Sequence, residues 1–317
     1  MHILVTGAAG FIGSHVSEAL VARGHRVTAI DSFDDYLYPA EVKRTNAAEV
    51  AAAGVTLIEG DICNRAAIER AIDRSVDVVC HLAALAGVRP SLAEPLRYLR
   101  TNIEGTGVIL ERMRALGLQR LVFASSSSVY GAKHGAIAAF REDDPCLTPA
   151  SPYAATKRMN ELQLSTYRDL YGIGVMALRF FTVYGPRQRP DMAIAKFTRA
   201  IASGHAITLY GDGTSRRDYT YVDDIVAGTI AAIERVAPGG YDIVNLGGTQ
   251  TISLRELVAL IEATVGKQAV VDQQPDQPGD VPITYADVGR ARSLLDYQPT
   301  TPPADGIARY WAWLRRR

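Results

Sequence analysis

Charge of one sign, cysteine and long apolar runs are all scarce in this chain, and each scarcity removes a class of function. Its 317 residues carry 34 Lys+Arg against 34 Asp+Glu, a formal net charge of zero. A balanced chain of pI near 7 has no electrostatic footprint for DNA or RNA, so no nucleic-acid partner is expected. The tight basic cluster Arg315–Arg317 reads as a solvated helix terminus rather than a binding arm. No apolar run nears the ~18 residues that a membrane span needs, which argues against a membrane partner. Cys63, Cys80 and Cys146 are odd in number and widely spaced, indicating neither a disulfide framework nor a zinc knuckle. The six histidines show no HxxxH or HxH spacing, and no metal is expected. Met1 leads directly into the strand-like HILVTG without room for a signal peptide, so the expected location is cytoplasmic and reducing.

What is present is an alternation of short apolar runs with helical-period stretches, the mark of βαβ units. Strands are expected at His2–Thr6, Arg26–Ile30, Thr56–Glu59, Asp77–His81, Arg120–Ala124 and Val175–Arg179. Helices are expected at Phe11–Arg23, Ala66–Asp73, Pro95–Leu116 and Pro152–Tyr171. The runs ILV, LVF and VDVV are continuously apolar, as parallel strands covered on both faces require. The fold class implied is α/β, a doubly wound parallel sheet with helices on both faces. Beyond Arg179 the pattern loosens into loops rich in Gly, Pro and Arg at Tyr184–Met192, Tyr210–Arg217 and Gln274–Pro282. The expected division is a nucleotide-binding domain at 1–178, also receiving segments near 218–247. A smaller α/β substrate-binding lobe would occupy 179–317, with a cleft between the two.

Gly7, Gly10 and Gly13 follow the first strand and open the first helix. Glycine permits a sharp turn at Gly7, close backbone approach to a pyrophosphate at Gly10, and tight helix–sheet packing at Gly13. With Phe11 and Ile12 these residues form the dinucleotide-binding turn of a Rossmann unit, the diphosphate lying at the positive end of the helix dipole. Asp31 ends the second strand 18 residues after Gly13. A carboxylate there accepts both ribose hydroxyls and repels a 2′-phosphate, which favours NAD over NADP. Asp61 and Ile62 are candidates for the adenine, by a polar contact and by packing. Leu82, Ala83 and Ala84 offer small and apolar walls along which the cofactor can pass. His81 reads as a satisfied strand-end side chain rather than a catalyst.

Tyr153 and Lys157 sit at i and i+4 after Pro152, on one helix face. A free tyrosine has a pKa of about 10 and is a poor base at neutral pH. An adjacent ammonium and an oxidised nicotinamide favour the phenolate. The pair follows Ser125–Ser128, which sits just past the fifth strand at the carboxyl edge where open α/β sheets bind ligands.

The glycine triplet, Asp31, SSSSVYG, YxxxK, the Arg179–Pro186 run RFFTVYGP, the Arg217–Asp224 run RDYTYVDD and Pro278-Gly-Asp280 recur in order. Over essentially its whole length the chain resembles the extended short-chain dehydrogenase/reductases that act on nucleotide sugars. The resemblance implies a UDP-sugar substrate, with Ser126 bonding the sugar O4, Tyr153 as acid/base and Lys157 as its partner. It also implies Arg217 at a phosphate and Asp280 at a ribose hydroxyl. Family members often carry Arg three residues before that Asp; here Gln277 stands there.

The shared chemistry begins with hydride transfer from sugar C4 while tyrosine takes the O4 proton. Dehydratases of the family carry an Asp-Glu pair where this chain has Ser127 and Ser128, and decarboxylases usually carry Glu before Val-Tyr-Gly, where Ser128 stands. Epimerisation at C4 remains. Ala86–Ser91, Arg179–Tyr184 and Gln277–Asp287 resemble the UDP-glucuronate 4-epimerases rather than the UDP-galactose enzymes. The alternatives kept open are a 4-epimerase of a neutral UDP-hexose or UDP-N-acetylhexosamine, a UDP-glucuronate decarboxylase, and a non-catalytic NAD-binding protein.

Oxidising C4 of a uronic acid creates a β-keto acid that loses CO₂ once its C5–C6 bond aligns with the carbonyl π system. Ser127, Ser128 and Thr182 are candidate donors to the carboxylate. Arg89 has two readings, carboxylate partner or loop anchor. Arg189 is a candidate at the diphosphate, with Arg187 and Arg189 alternatively decorating a lid, and Tyr184 and Met192 are expected to line the nucleotide pocket. Asp223 and Asp224 read as a helix cap and first-turn charge, and Phe197 and Tyr210 as core or uracil-stacking residues. The helices near Pro95–Leu116 and Pro152–Tyr171 carry apolar stripes at Leu96, Leu99, Ile103 and at Leu162, Tyr167, Leu170, which any core helix also shows; the resemblance implies that they join a homodimer, two helices from each subunit.

Overall fold

The computed structural model describes residues 1–131, 139–275 and 283–317. Its first part is β1 (His2–Thr6), α1 (Phe11–Ala22), β2 (Arg26–Asp31), α2 (Ala40–Ala52), β3 (Thr56–Glu59), α3 (Arg65–Ala71) and β4 (Val78–His81). There follow α4 (Val88–Ala93), α5 (Pro95–Tyr98), α6 (Gly105–Leu116), β5 (Arg120–Ser126), α7 (Pro152–Tyr171) and β6 (Gly174–Phe180). Next come β7 (Thr182–Tyr184), α8 (Ala193–Ser203), β8 (Ala206–Tyr210), β9 (Arg216–Arg217), β10 (Tyr219–Tyr221), α9 (Val222–Arg235) and β11 (Tyr241–Leu246). The chain ends with β12 (Ile252–Ser253), α10 (Leu254–Val265), β13 (Val270–Gln274), β14 (Ile283–Thr284), α11 (Gly289–Leu295) and α12 (Pro303–Leu314).

Seven strands form the main sheet in the order β11-β6-β5-β4-β1-β2-β3, every neighbouring pair parallel. The α/β doubly wound class expected from the sequence is what the chain adopts. Alternation along β1 shows why both faces are apolar. Ile3 and Val5 join the core beneath α1 and α9, and Leu4 joins the core beneath α3 and α6. All three are fully buried, each worth about 1.5–3 kcal/mol relative to exposure. The strand order reverses between β1 and β4, so the crevice for a ligand opens outside their carboxyl ends.

Two departures from the sequence reading have clear physical causes. β11 was not among the expected strands; it pairs with β6 at the sheet edge and is only half-buried over Tyr241–Ile243, which weakens its apolar signature. The helix expected over Pro95–Leu116 contains a π-helical turn at Leu99–Glu104. Asn102 turns inward there, its amide donating to the Leu85 carbonyl and the Thr156 hydroxyl at 3.0 Å each. Its side-chain oxygen accepts from Leu85 N at 2.9 Å. One extra residue in the turn lets a buried polar side chain bind a loop at the cavity's edge.

Beyond the main sheet, shorter strands pair as β12-β9-β14, β13-β8 and β10-β7. No helix among the described residues is long and apolar enough to cross a membrane.

Candidate active site

A cavity of about 770 Å³ opens at the carboxyl ends of β1 and β4. Gly7, Gly10, Phe11, Ile12 and Gly13 line one wall, with Asp31, Asp61, Ile62, Leu82, Ala83 and Ala84 beside them. Gly7 has φ +73°, and a Cβ there would meet the Ala83 backbone at 2.8 Å. At Gly13 a Cβ would lie 2.1 Å from the Gly7 carbonyl oxygen. No side chain caps the start of α1, which leaves its first amides to an anion. These features suit a dinucleotide diphosphate.

Asp31 is fixed by backbone donors, Ala9 N at 3.0 Å to one oxygen and Phe33 N at 2.9 Å to the other. Burial pushes its carboxyl above the usual range, while the Phe33 amide and the nearby Lys43 ammonium oppose that push. Tyr38 and Lys43 also line this end of the cavity, and the sequence reading missed both. Tyr38 lies in the loop before α2 and Lys43 in its first turn, outside every element and motif expected from the sequence. Asp61 lies at the rim and accepts from Cys63 N at 2.9 Å.

The opposite wall carries the reacting groups. Ser151 caps α7 by accepting from Ala154 N at 3.1 Å, and Pro152 starts the helix. Tyr153 and Lys157 then fall on the cavity side one turn apart, and both line it with Ser126, Ser127, Ser128 and Thr182. Burial pushes the Tyr153 phenol up, and a hydrogen bond with Ser126 and the Arg189 guanidinium pull it back. Lys157 is held down at about 7 by burial, with Glu161 opposing. Its Nζ donates to the Ala124 carbonyl at 2.7 Å. Ser126 Oγ accepts from Ser128 N at 3.2 Å and lies 2.9 Å from Ser128 Oγ. His81 is satisfied on both ring nitrogens, by Thr6 at 2.7 Å and Thr106 at 3.0 Å. Burial lowers its pKa to about 3, so it stays neutral.

Arg189 and Met192 also line the cavity. Arg189 Nη1 donates to the Ala86 carbonyl at 3.0 Å and its Nη2 pairs with Asp191 at 2.7 Å. Arg187, by contrast, is tied outward to Glu18 on α1 and Glu49 on α2, so it is an anchor of its loop.

Three of the expected residues stand apart. Tyr184 is fully buried beyond the cavity, its ring edge-on to Tyr219 and Tyr221 and its hydroxyl donating to the Pro303 carbonyl at 3.3 Å. β7 runs away from the cavity, so Thr182 and Val183 reach it and Tyr184 packs against α12 instead. Arg89 is exposed at the start of α4 and lies over the Tyr210 ring at 5.2 Å, outside the cavity wall. Arg217, on β9, donates to the Arg216 carbonyl and is likewise outside the wall. Asp280 lies outside the described residues.

The acidic pair at α9 also reads differently in three dimensions. Asp223 and Asp224 occupy the first turn but do not cap it; Asp224 accepts from Thr300 N and Thr301 N at 3.0 and 3.2 Å, holding the C-terminal segment. Phe197 belongs to the core.

Known proteins share this fold. Residues 3–247 match the NAD dependent epimerase/dehydratase family. The chain belongs to that family. A UDP-glucuronate 4-epimerase of Thermodesulfobacterium geofontis is 41% identical over 315 residues, spanning 98% of this chain and 95% of that protein. The crystal structure of a UDP-glucuronic acid 4-epimerase from Bacillus cereus, in complex with UDP-glucuronic acid and NAD, superposes with a TM-score of 0.91. It is 37% identical and covers 100% of this chain and 99% of its own. A UDP-glucose 4-epimerase from Thermotoga maritima with UDP-glucose gives 0.90 at 30% identity, covering 100% and 99%. Within the family, then, overall shape does not choose the sugar; the pocket must.

Proposed function

We propose that this chain inverts C4 of UDP-glucuronate to give UDP-galacturonate through a 4-keto intermediate, with NAD as resident cofactor. The observation that carries the reading is one cavity wall with Ser126, Tyr153 and Lys157 beside three further hydroxyls, Ser127, Ser128 and Thr182. Gly7–Gly13 and Asp31 would hold NAD, which when bound would accept the C4 hydride in its oxidised form and return it from its reduced form. Tyr153 takes the O4 proton as phenolate and returns it after the keto sugar has turned over. Ser126 holds O4 during both transfers. Lys157 keeps the phenolate charge compensated.

The hydroxyl run serves the uronic acid. Hydrogen-bond donors keep its carboxylate solvated and out of alignment with the C4 carbonyl, whereas an apolar wall speeds CO₂ loss. No carboxylate stands at Ser127 or Ser128 to move the C5 proton. Likeness to the UDP-glucuronate 4-epimerases over nearly the whole chain supports the same sugar. A neutral-hexose 4-epimerase is the second reading, favoured by the equally close fold of the T. maritima enzyme.

Incubation with UDP-glucuronate, UDP-glucose and UDP-N-acetylglucosamine in turn, with chromatography of the products, tests the choice. UDP-galacturonate is expected from the first; inversion of only a neutral sugar overturns it. Replacing Ser127 and Ser128 with Ala is expected to release CO₂ and a UDP-pentose from UDP-glucuronate. Unchanged turnover without CO₂ would remove both serines from that role.

The homodimer belongs to the same reading. Leu96, Leu99, Leu162 and Leu170 leave an apolar surface on α5, the π turn and α7 of 77%, 39%, 55% and 66% exposure. Such a surface is costly in water and fits a second copy across a two-fold axis. Sedimentation at the mass of a single 34.3 kDa chain would overturn the dimer. A cytoplasmic setting accords with the free Cys63, Cys80 and Cys146 and with the use of NAD.

A further inference from the structure

The last three residues of β5 meet α7 one after another. The Ala124 carbonyl accepts from Lys157 Nζ at 2.7 Å, Ser125 Oγ donates to Glu161 Oε1 at 2.6 Å, and Ser126 bonds the Tyr153 phenol. Glu161 is one helical turn beyond Lys157, as Lys157 is one turn beyond Tyr153. It does not touch the cavity.

Glu161 is completely buried, and its carboxylate is saturated. Oε1 also accepts from Arg179 Nε at 2.9 Å; Oε2 accepts from Arg179 Nη2 at 2.9 Å and from Arg158 Nη1 at 3.0 Å. Arg179 is placed by the sheet, since β5 and β6 pair Ser125 with Arg179 in register. It is 1% exposed, lies over the Tyr130 ring at 4.7 Å, and donates its remaining nitrogen to the Glu142 carbonyl at 3.3 Å. A buried ion pair of this kind is a poor source of net stability, so its presence asks for another role.

We propose that Glu161, clamped by Ser125 and Arg179, is a positioning residue that keeps Lys157 cationic and seated beside Tyr153. The inference rests on the acid/base reading of Tyr153 given above. A carboxylate one turn away favours the ammonium, and the ammonium favours the phenolate. The other groups facing Lys157 do not supply this. On β5 it meets the Ala124 carbonyl and the Phe123 ring, and on β4 the neutral His81. On α7 lie Tyr153 and Glu161. Arg158 acts through Glu161, and Arg189 bears on Tyr153 from across the cavity. Glu161 is the anion among them that raises Lys157 against its burial.

The test is titration of Tyr153 in the NAD-loaded protein, read as near-ultraviolet phenolate absorbance after subtraction of Tyr153→Phe. Glu161→Gln, Glu161→Gln/Arg179→Met and Ser125→Ala are compared with the native chain. The midpoint is expected to rise by about one pH unit, a tenfold loss of phenolate, in both Glu161 variants, and by less in Ser125→Ala. kcat should fall at neutral pH with KM unchanged. Should Glu161→Gln fail to fold, the double variant and the single-hydroxyl deletion decide. A midpoint unmoved in the folded variants overturns the proposal. The titration needs no sugar, so a wrong substrate assignment would leave it standing while emptying the chromatogram.

Discussion

Tyr153→Phe is expected to lower kcat for C4 inversion about 10³-fold while NAD remains bound. A positioned general acid/base contributes typically 10²–10⁴, so the central value corresponds to about 4 kcal/mol of barrier. The variant removes one oxygen and little else. The ring is edge-on to Tyr98 with centroids 6.2 Å apart, a contact that phenylalanine keeps. Ser126 loses a partner but retains Ser128. Both transfers at O4 need that oxygen, and His81, the buried base nearest in kind, is committed to Thr6 and Thr106. Initial rates at saturating sugar, with cofactor retention checked by absorbance, measure the effect. Inversion at native speed would end the acid/base assignment.

What could be read from the sequence was whatever a ligand demands of neighbouring residues. A diphosphate needs glycine where a Cβ would strike backbone, so Gly7 and Gly13 were legible from spacing alone. A phenol and an ammonium one helical turn apart were legible for the same local reason. Groups assembled by register were not. Glu161 meets Ser125 and Arg179 only because β5 and β6 pair in parallel, which places residues far apart in the chain side by side. Tyr184 is expected in the nucleotide pocket but lies beyond it, because two residues along β7 carry a side chain about 7 Å from Thr182. Gly306 confirms where it went: a Cβ there would meet the Tyr184 hydroxyl at 2.1 Å, so helix α12 closes down on that ring. The π turn in the Pro95–Leu116 stretch was invisible because its cause, Asn102 bonding Leu85 and Thr156, is tertiary.

Glu161→Gln on its own is expected to destabilise the fold by about 3–5 kcal/mol, the usual cost of breaking one side of a buried pair. The side chains of Arg179 and Glu161 are 2% and 0% exposed, so water cannot take over from the lost charge. Glutamine keeps one acceptor but turns an amide toward guanidinium donors, leaving a buried cation uncompensated. An exposed pair such as Arg44–Glu59, with side chains 56% and 60% exposed, should cost far less when broken, because water and salt already screen it. At roughly 2–4 °C per kcal/mol for a chain of this size, Tm should fall about 10 °C, measurable by circular dichroism. Glu161→Gln/Arg179→Met removes both charges and is expected to recover most of that loss, because no ion is left stranded. A fall of less than about 1 kcal/mol in the single variant, or no recovery in the double, would mean that solvent reaches the pair. The double variant thereby separates two properties of one carboxylate. If it melts like the native protein yet still titrates Tyr153 at higher pH, the pair is retained for the lysine it steadies rather than for the stability of the fold.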